Sequence, residues 1–194
     1  MNYPLQLRFK ILALAPQLYV QDAGGAEVSY VKQKLFRFRE KVEVFTDSSR
    51  KSLLATIQAD RMIDFNANYG FQMPDGSRLG TVRRRGLRSL WRAHYEILDD
   101  AGNVAFEIRE ENPGAKLIDT LLGEIPIIGM FTGFFCHPRY SVLRGGAPVL
   151  HMTKKRSFLE SRFIVEKSGE LDARDEMRIV FSLLMFVLLE RSRG

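Results

Sequence analysis

The side chains of this 194-residue chain whose types could do chemistry are three histidines, a single cysteine and a cluster of arginines. His94, His137 and His151 lie far apart, no two have the i, i+4 spacing that puts two ligands on one helix face, and no acid-flanked zinc pattern surrounds them. Cys136 and His137 could be nucleophile and base, but neighbours on a strand point to opposite faces. A Gly-x-Ser-x-Gly elbow, a phosphate-cradling glycine loop and a dinucleotide fingerprint are all missing. The acid pairs Asp99-Asp100 and Glu110-Glu111 fall at the ends of alternating runs and read as solvated edges. The expectation is a protein that is not an enzyme and carries no metal or cofactor.

The arginines are the one positive signal. With 29 basic and 23 acidic residues the net charge is +6, and the whole excess lies between Gly76 and Tyr95, where Arg78, Arg83, Arg84, Arg85, Arg88 and Arg92 occur without an acid. A localised excess of this kind is a candidate docking site for an anionic partner. Leu79 to Val82 reads as a strand; Arg83, Arg84 and Arg85 cannot all face inward, so the chain is expected to leave the core there. Leu87, Leu90 and Trp91 then follow at i, i+3, i+4, with Arg84, Arg88 and Arg92 on an adjoining side, which makes an amphipathic patch with an aromatic at its edge. Arg83, Arg84, Arg85, Arg88, Trp91 and Arg92 are accordingly the candidate site for an anionic headgroup. Nucleic acid would use the same charge, but one tryptophan falls short of the stacked aromatics that single strands need. The structural alternative is a solvated connector whose Trp91 packs on the protein wall.

The elements that must position these residues repeat along the chain as an alternating run, a polar turn and a second alternating run. The turns fall at Asp22-Ala23-Gly24-Gly25, Asp47-Ser48-Ser49-Arg50, Pro74-Asp75-Gly76-Ser77, Asp100-Ala101-Gly102-Asn103, Arg144-Gly145-Gly146-Ala147 and Lys167-Ser168-Gly169-Glu170. Glycine beside Asp, Asn or Ser supplies the positive φ and the local bonds of hairpin turns. Between them Tyr69, Phe71 and Met73 share a face, as do Tyr95 and Ile97, and then Val104, Phe106 and Ile108, with the period of half-buried strands. Six such hairpins predict an all-β fold of about twelve antiparallel strands, a sandwich or a closed barrel.

The stretch after the last turn decides for the barrel. A helix over 173–191 is predicted, with Asp172 as N-cap, Asp175 three residues on, and Arg191 and Arg193 at its end. From Ile179 to Leu189 every residue but Ser182 is apolar, so the helix has no polar face and must be surrounded. Those residues rise only about 16 Å against a hydrocarbon core of about 30 Å, too little for a membrane span. A closed sheet of many strands is the enclosure that fits. The chain is thus read as one domain, 1–194, with an apolar insertion over 113–138. Lys116 to Glu124 suggests a short helix there, and Ile125 to Cys136 is uncharged and rich in Ile, Phe and Gly. That insertion has three uses open to it: a plug for one barrel end, a homo-oligomer contact through 125–136, or a wedge of Phe131, Phe134 and Phe135 in a bilayer interface.

Six hairpins followed by an all-apolar helix resemble the tubby-type barrel of tubby C-terminal domains, phospholipid scramblases and LURP-one-related proteins. Tyr30-Val31-Lys32-Gln33-Lys34-Leu35-Phe36, continuing to Glu40-Lys41-Val42 and Asp47, resembles the opening strands of LURP-one-related proteins. Leu171-Asp172 through Met177-Arg178-Ile179-Val180 resembles the approach to the last scramblase helix. The resemblance implies the barrel and, through tubby domains, phosphoinositide recognition by basic wall residues. It does not carry over the scramblase calcium loop, because this chain reads Leu159-Glu160-Ser161-Arg162 there and only Asp172 keeps an acid in register. Nor does it carry over the acylated cysteine clusters, since Cys136 stands alone.

Together these features predict a non-enzymatic binding module docking at an anionic membrane surface or lipid headgroup through the arginine patch. The alternative is a protein-interaction scaffold without a lipid role, and a nucleic-acid-binding protein ranks below both. The single cysteine suits a reducing compartment, and the apolar run Ile11 to Ala15 is too short for a signal-peptide core. A cytoplasmic protein, peripheral to the membrane where it touches it, is the expected setting.

Overall fold

The computed structural model describes residues 1–10, 17–32, 41–60, 67–85, 94–111, 138–155 and 160–191. Its strands are β1 Leu5–Lys10, β2 Gln17–Gln21, β3 Glu27–Lys32, β4 Lys41–Phe45, β5 Leu53–Ala59, β6 Asn68–Gln72, β7 Arg78–Arg84, β8 His94–Leu98, β9 Val104–Glu110, β10 Arg139–Arg144, β11 Ala147–Lys155 and β12 Glu160–Lys167, followed by helix α1, Ala173–Arg191. Each strand pairs antiparallel with its neighbours in sequence, and β1 also pairs with β12, so the sheet closes into a barrel. Closure leaves no free edge to template aggregation.

Five of the six expected turns close hairpins: β2–β3, β4–β5, β6–β7, β8–β9 and β10–β11. The tightest is Gly145-Gly146, with φ of 56° and 89°, the two positive values that a type I′ turn requires. In the turn without glycine Arg50 takes the left-handed conformation, φ 59°. Beside every one of these turns the register shifts by a bulge, at Val20/Gln21, Val44/Phe45, Phe71/Gln72, Ile97/Leu98 and Val142/Leu143. Bulges strengthen local twist and bend, which a closing sheet needs. The sixth turn is different: Lys167 to Glu170 leads from β12 into α1 and closes no hairpin.

Alternation places Leu5, Leu7 and Phe9, Val42 and Val44, Tyr95 and Ile97, and Phe106 and Ile108 inside the barrel. Tyr69 and Met73 pack partly buried against this core beside Phe71. Val104, expected on the inner face, is 47% exposed at the start of β9, beside the β8–β9 bulge. α1 fills the interior: Ile179 to Leu188 are all buried, and Phe181 meets Phe71 while Phe186 meets Tyr95 and Tyr140 edge to face. The Ser182 hydroxyl donates to the Arg178 carbonyl at 2.9 Å, so the lone polar side chain of this stretch is satisfied within the helix.

The start of the helix is fixed by capping and by charge. Asp172 Oδ1 accepts the Asp175 amide at 2.7 Å, the expected cap. Arg178, 5% exposed, donates from Nε to the Leu79 carbonyl at 2.9 Å and pairs with Asp175, which also holds Arg144. Arg174 pairs with Asp100 at 3.0 Å, and Lys167 with Glu176 at 2.8 Å. The first turns of α1 are therefore tied to β7, β10, β12 and the β8–β9 turn. Arg193 and the insertion, except Pro138, lie outside the described residues, and so does the Cys136-His137 pair.

Candidate functional site: a cationic barrel rim

An up-and-down barrel brings the ends of its odd-numbered strands and the starts of its even-numbered strands to one rim. Here those positions include Lys10, Lys32, Lys41, Arg84, Arg139 and Lys155, with Arg85 and Lys154 beside them. All but Arg84 are exposed. The acids at the same strand ends are Glu110, which is buried, and Glu160, which is held by Arg8 at 3.3 Å and by Arg162; beside them stand the exposed Asp60, which accepts from Asn68, and Glu111, which meets His151. Among the described residues Lys32, Arg139, Lys154 and Lys155 make no ion pair closer than 4 Å.

The other rim carries the tight turns, and turn chemistry makes it acidic. Asp22, Asp47, Asp75 and Asp99 each accept a backbone amide two or four residues on, at 2.8 to 2.9 Å. Bonds from Ser49 and Ser77 hold Asp47 and Asp75 below the usual carboxylate range, and the Asn103 amide does the same to Asp99. The residues that shape the hairpins thus place permanent negative charge at one end. Exposed Arg50, Lys51, Arg78, Arg144, Lys167 and Arg174 share that end, and Arg144, Lys167 and Arg174 are paired there with Asp175, Glu176 and Asp100, whereas Lys32, Arg139, Lys154 and Lys155 stand at the opposite end outside such pairs.

The arginine window does not form one patch. β7 runs on through Arg84, contrary to the expectation that the chain leaves the core after Val82. Simple alternation explains it, because only the middle arginine of the three turns inward. Arg84 is 9% exposed, beside the Tyr95 ring. Arg83 and Arg85 point outward and clamp Glu96 at 2.7 and 3.4 Å. Arg78, at the start of β7, stands on the opposite rim and donates to Thr81 Oγ1 at 2.7 Å. Arg88, Trp91 and Arg92 lie outside the described residues, in the segment that joins the rim positions Arg84 and His94.

The structure also brings together residues that sequence reasoning kept apart. His94 Nε2 lies 3.1 Å from Glu107, which Arg109 also holds. His151 Nδ1 lies 2.8 Å from Glu111 Oε1 and 3.0 Å from Ser141 Oγ, and those two oxygens also bond each other. Glu110 and Glu111 are therefore no solvated pair, since one points into the barrel and the other joins this cluster. Asp100 likewise serves Arg174. Serine and glutamate meet the same imidazole nitrogen, whereas a proton relay needs one on each. No group of three or more metal-ligating side chains occurs among the described residues. A cleft of about 580 Å³ between the β6–β7 turn and α1 is lined by Met73, Leu79, Met177 and Arg174; Ser77 in its wall donates to Asp75, and Arg174 reaches out of it to Asp100.

Several of these pairs set an acid limit on stability. Burial pushes the Glu107 carboxyl up, but Arg109 and His94 outweigh it; the Ser141 hydroxyl and then His151 lower Glu111; Lys167 and the amino group of Met1 overcome burial at Glu176. Carboxyls lowered by folding stabilise the protein above their ordinary value of 4.5, and the contribution is lost as pH falls through the lowered values. The melting temperature is expected to stay level from about pH 7 to about pH 5 and to fall below about pH 4. A thermal scan across that range that stayed level to the acid end would show the pairs to be energetically idle.

No family model matches the sequence, and no curated protein matches it. Among solved structures, the X-ray structure of protein AT5G01750 from Arabidopsis thaliana is similar over 100% of this chain and 94% of that one, with a TM-score of 0.53 and 14% sequence identity. The fold is shared. Among the described residues no helix is long and apolar enough to cross a membrane.

Proposed function

We propose that this chain is a tubby-like barrel of the LURP-one-related and scramblase-like kind that acts as a non-enzymatic binding module, docking end-on at an anionic membrane surface through its cationic rim. The observation that carries this reading is the cluster of exposed lysines and arginines at one rim that make no close ion pair, while the other rim offsets its basic residues with turn aspartates and helix acids. Each basic residue near an anionic surface contributes about 1 kcal/mol, so Lys10, Lys32, Arg139, Lys154 and Lys155 together give on the order of 5 kcal/mol, a reversible attachment. The turn aspartates at the other end add orientation, because an anionic surface repels them. The site differs from the arginine window: Arg83 and Arg85 are both engaged with Glu96, although Arg85 is exposed at the rim, and Arg84 faces inward.

Co-sedimentation with phosphatidylcholine vesicles, with and without phosphatidylserine, at about 0.1 and about 0.5 M salt tests the reading. Binding is expected only with the anionic lipid, and weaker in high salt. Replacing Lys32, Lys154 and Lys155 by Ser should weaken it by about a hundredfold, at about 1 kcal/mol per charge. Changing Arg50, Lys51 and Arg174 to Ser removes equal charge from the other end and should leave it within a fewfold. Equal losses in the two variants would mean diffuse electrostatics and no docking rim. Binding indifferent to lipid charge would favour a scaffold with no lipid role.

A further inference from the structure

His94 and His151 belong to a single cross-strand row, although 57 positions separate them in sequence. His94 pairs with Arg109, Arg109 with Ser141, and Ser141 with His151, across β8, β9, β10 and β11. Side chains in one such row share a face, here the outer wall, where the two imidazoles are 25% and 39% exposed. The row starts at the cationic rim and runs down the wall from it: His94 opens β8, Glu111 follows the last residue of β9, Arg139 opens β10 two positions before Ser141, and His151 lies in the middle of β11, four positions before Lys155.

The charged groups facing each ring are few. Around His94 stand Glu107 and Arg109 on β9, Glu96 on its own strand, and Arg83 and Arg85 at the end of β7, both turned toward Glu96. Around His151 stand Ser141 and Arg139 on β10, Glu111 beyond β9, and Glu166, its register partner on β12. Each ring therefore has a carboxylate in contact, and neither faces a fixed cation without an acid between or beside them. Imidazole is the side chain whose charge changes between about pH 5 and pH 8.

We propose that His94 and His151 make docking of the rim acid-responsive: protonation of both rings adds one charge at the rim on β8 and one on the wall below it on β11, and tightens the hold on anionic membrane. This rests on the docking reading above. Binding to the membrane must reciprocally favour the protonated rings, because linkage between two equilibria runs both ways.

The test compares phosphatidylserine-containing vesicles at about pH 7.5 and about pH 5.5, a window above the range in which ordinary carboxylates titrate. Wild-type binding should tighten by roughly fivefold per histidine, some tenfold to thirtyfold in all. His94→Gln with His151→Gln should bind like wild type at the higher pH and gain little on acidification. His94→Lys with His151→Lys should bind at the higher pH as tightly as wild type does in acid. Vesicles should also raise the titration midpoint of both imidazoles, read by NMR. Loss of the acid response on His137→Gln alone, or its survival in the double glutamine variant, would overturn the assignment. Binding that ignores pH would sink this inference and leave the docking reading standing, whereas no binding at either pH would sink both.

Discussion

Leu184→Asp is expected to leave no soluble, cooperatively folded protein. Leu184 is fully buried in the middle of α1, with barrel wall on every side. A carboxylate there either stays charged without a partner or takes up a proton, and both cost several kcal/mol against a total stability of about 5 to 15 kcal/mol. Ending the chain at Asp172 should fail for the complementary reason, since Phe71, Tyr95 and Tyr140 lose Phe181 and Phe186 and the sheet is left hollow. Ser182→Ala separates chemistry from position. It removes a hydroxyl already satisfied within the helix and should change stability by no more than about 1 kcal/mol. Expression with gel filtration and circular dichroism reads all three. A soluble truncated barrel with a sharp unfolding transition would show that the sheet closes without its filling.

Gly80→Ala is the second large effect. Gly80 has φ 155°, and a Cβ built on it would lie 2.4 Å from the Leu98 carbonyl oxygen and 3.0 Å from Arg178 Nε. The first neighbour is backbone of the adjacent strand and cannot yield without separating β7 from β8. The second is the group that ties α1 to the Leu79 carbonyl. One methyl thus attacks the barrel wall and the helix anchor together, and a loss of about 3 kcal/mol or more is expected. Gly70→Ala, on β6, is the matched control: its Cβ would meet only the Gln58 carbonyl oxygen, at 3.9 Å, an ordinary contact. Urea unfolding should show Gly80→Ala far less stable than Gly70→Ala, and equal midpoints would refute the close approach.

Much of this architecture was legible because its signals are local. Asp172 caps the helix through the Asp175 amide three residues on, and an apolar run without a polar face requires enclosure whatever surrounds it. The turn residues marked five hairpins for the same reason. Lys167 to Glu170 has the same composition, yet only the helix beyond it decides that no strand returns. The arginine window misled because three consecutive arginines look like an exit from the core, and the partner that keeps β7 in the wall, Glu96, is thirteen positions further on. The cationic rim depends on strand order. Lys10, Lys32 and Lys155 become neighbours of one surface only after every second strand is known to run the same way, and no window of sequence contains them together. The histidine row needs the register as well.

The chain's single tryptophan offers the most direct measurement of rim-first docking. Trp91 lies in the segment that leaves the rim at Arg84 and re-enters at His94. Its fluorescence, followed as vesicles with brominated acyl chains are added, reports whether this end of the barrel meets the bilayer. A blue shift and quenching are expected with phosphatidylserine-containing vesicles, neither with neutral ones, and both should be reversed by high salt. Sedimentation with anionic vesicles while Trp91 emission stays unshifted and unquenched would contradict rim-first docking, because the barrel would then be docking by another face.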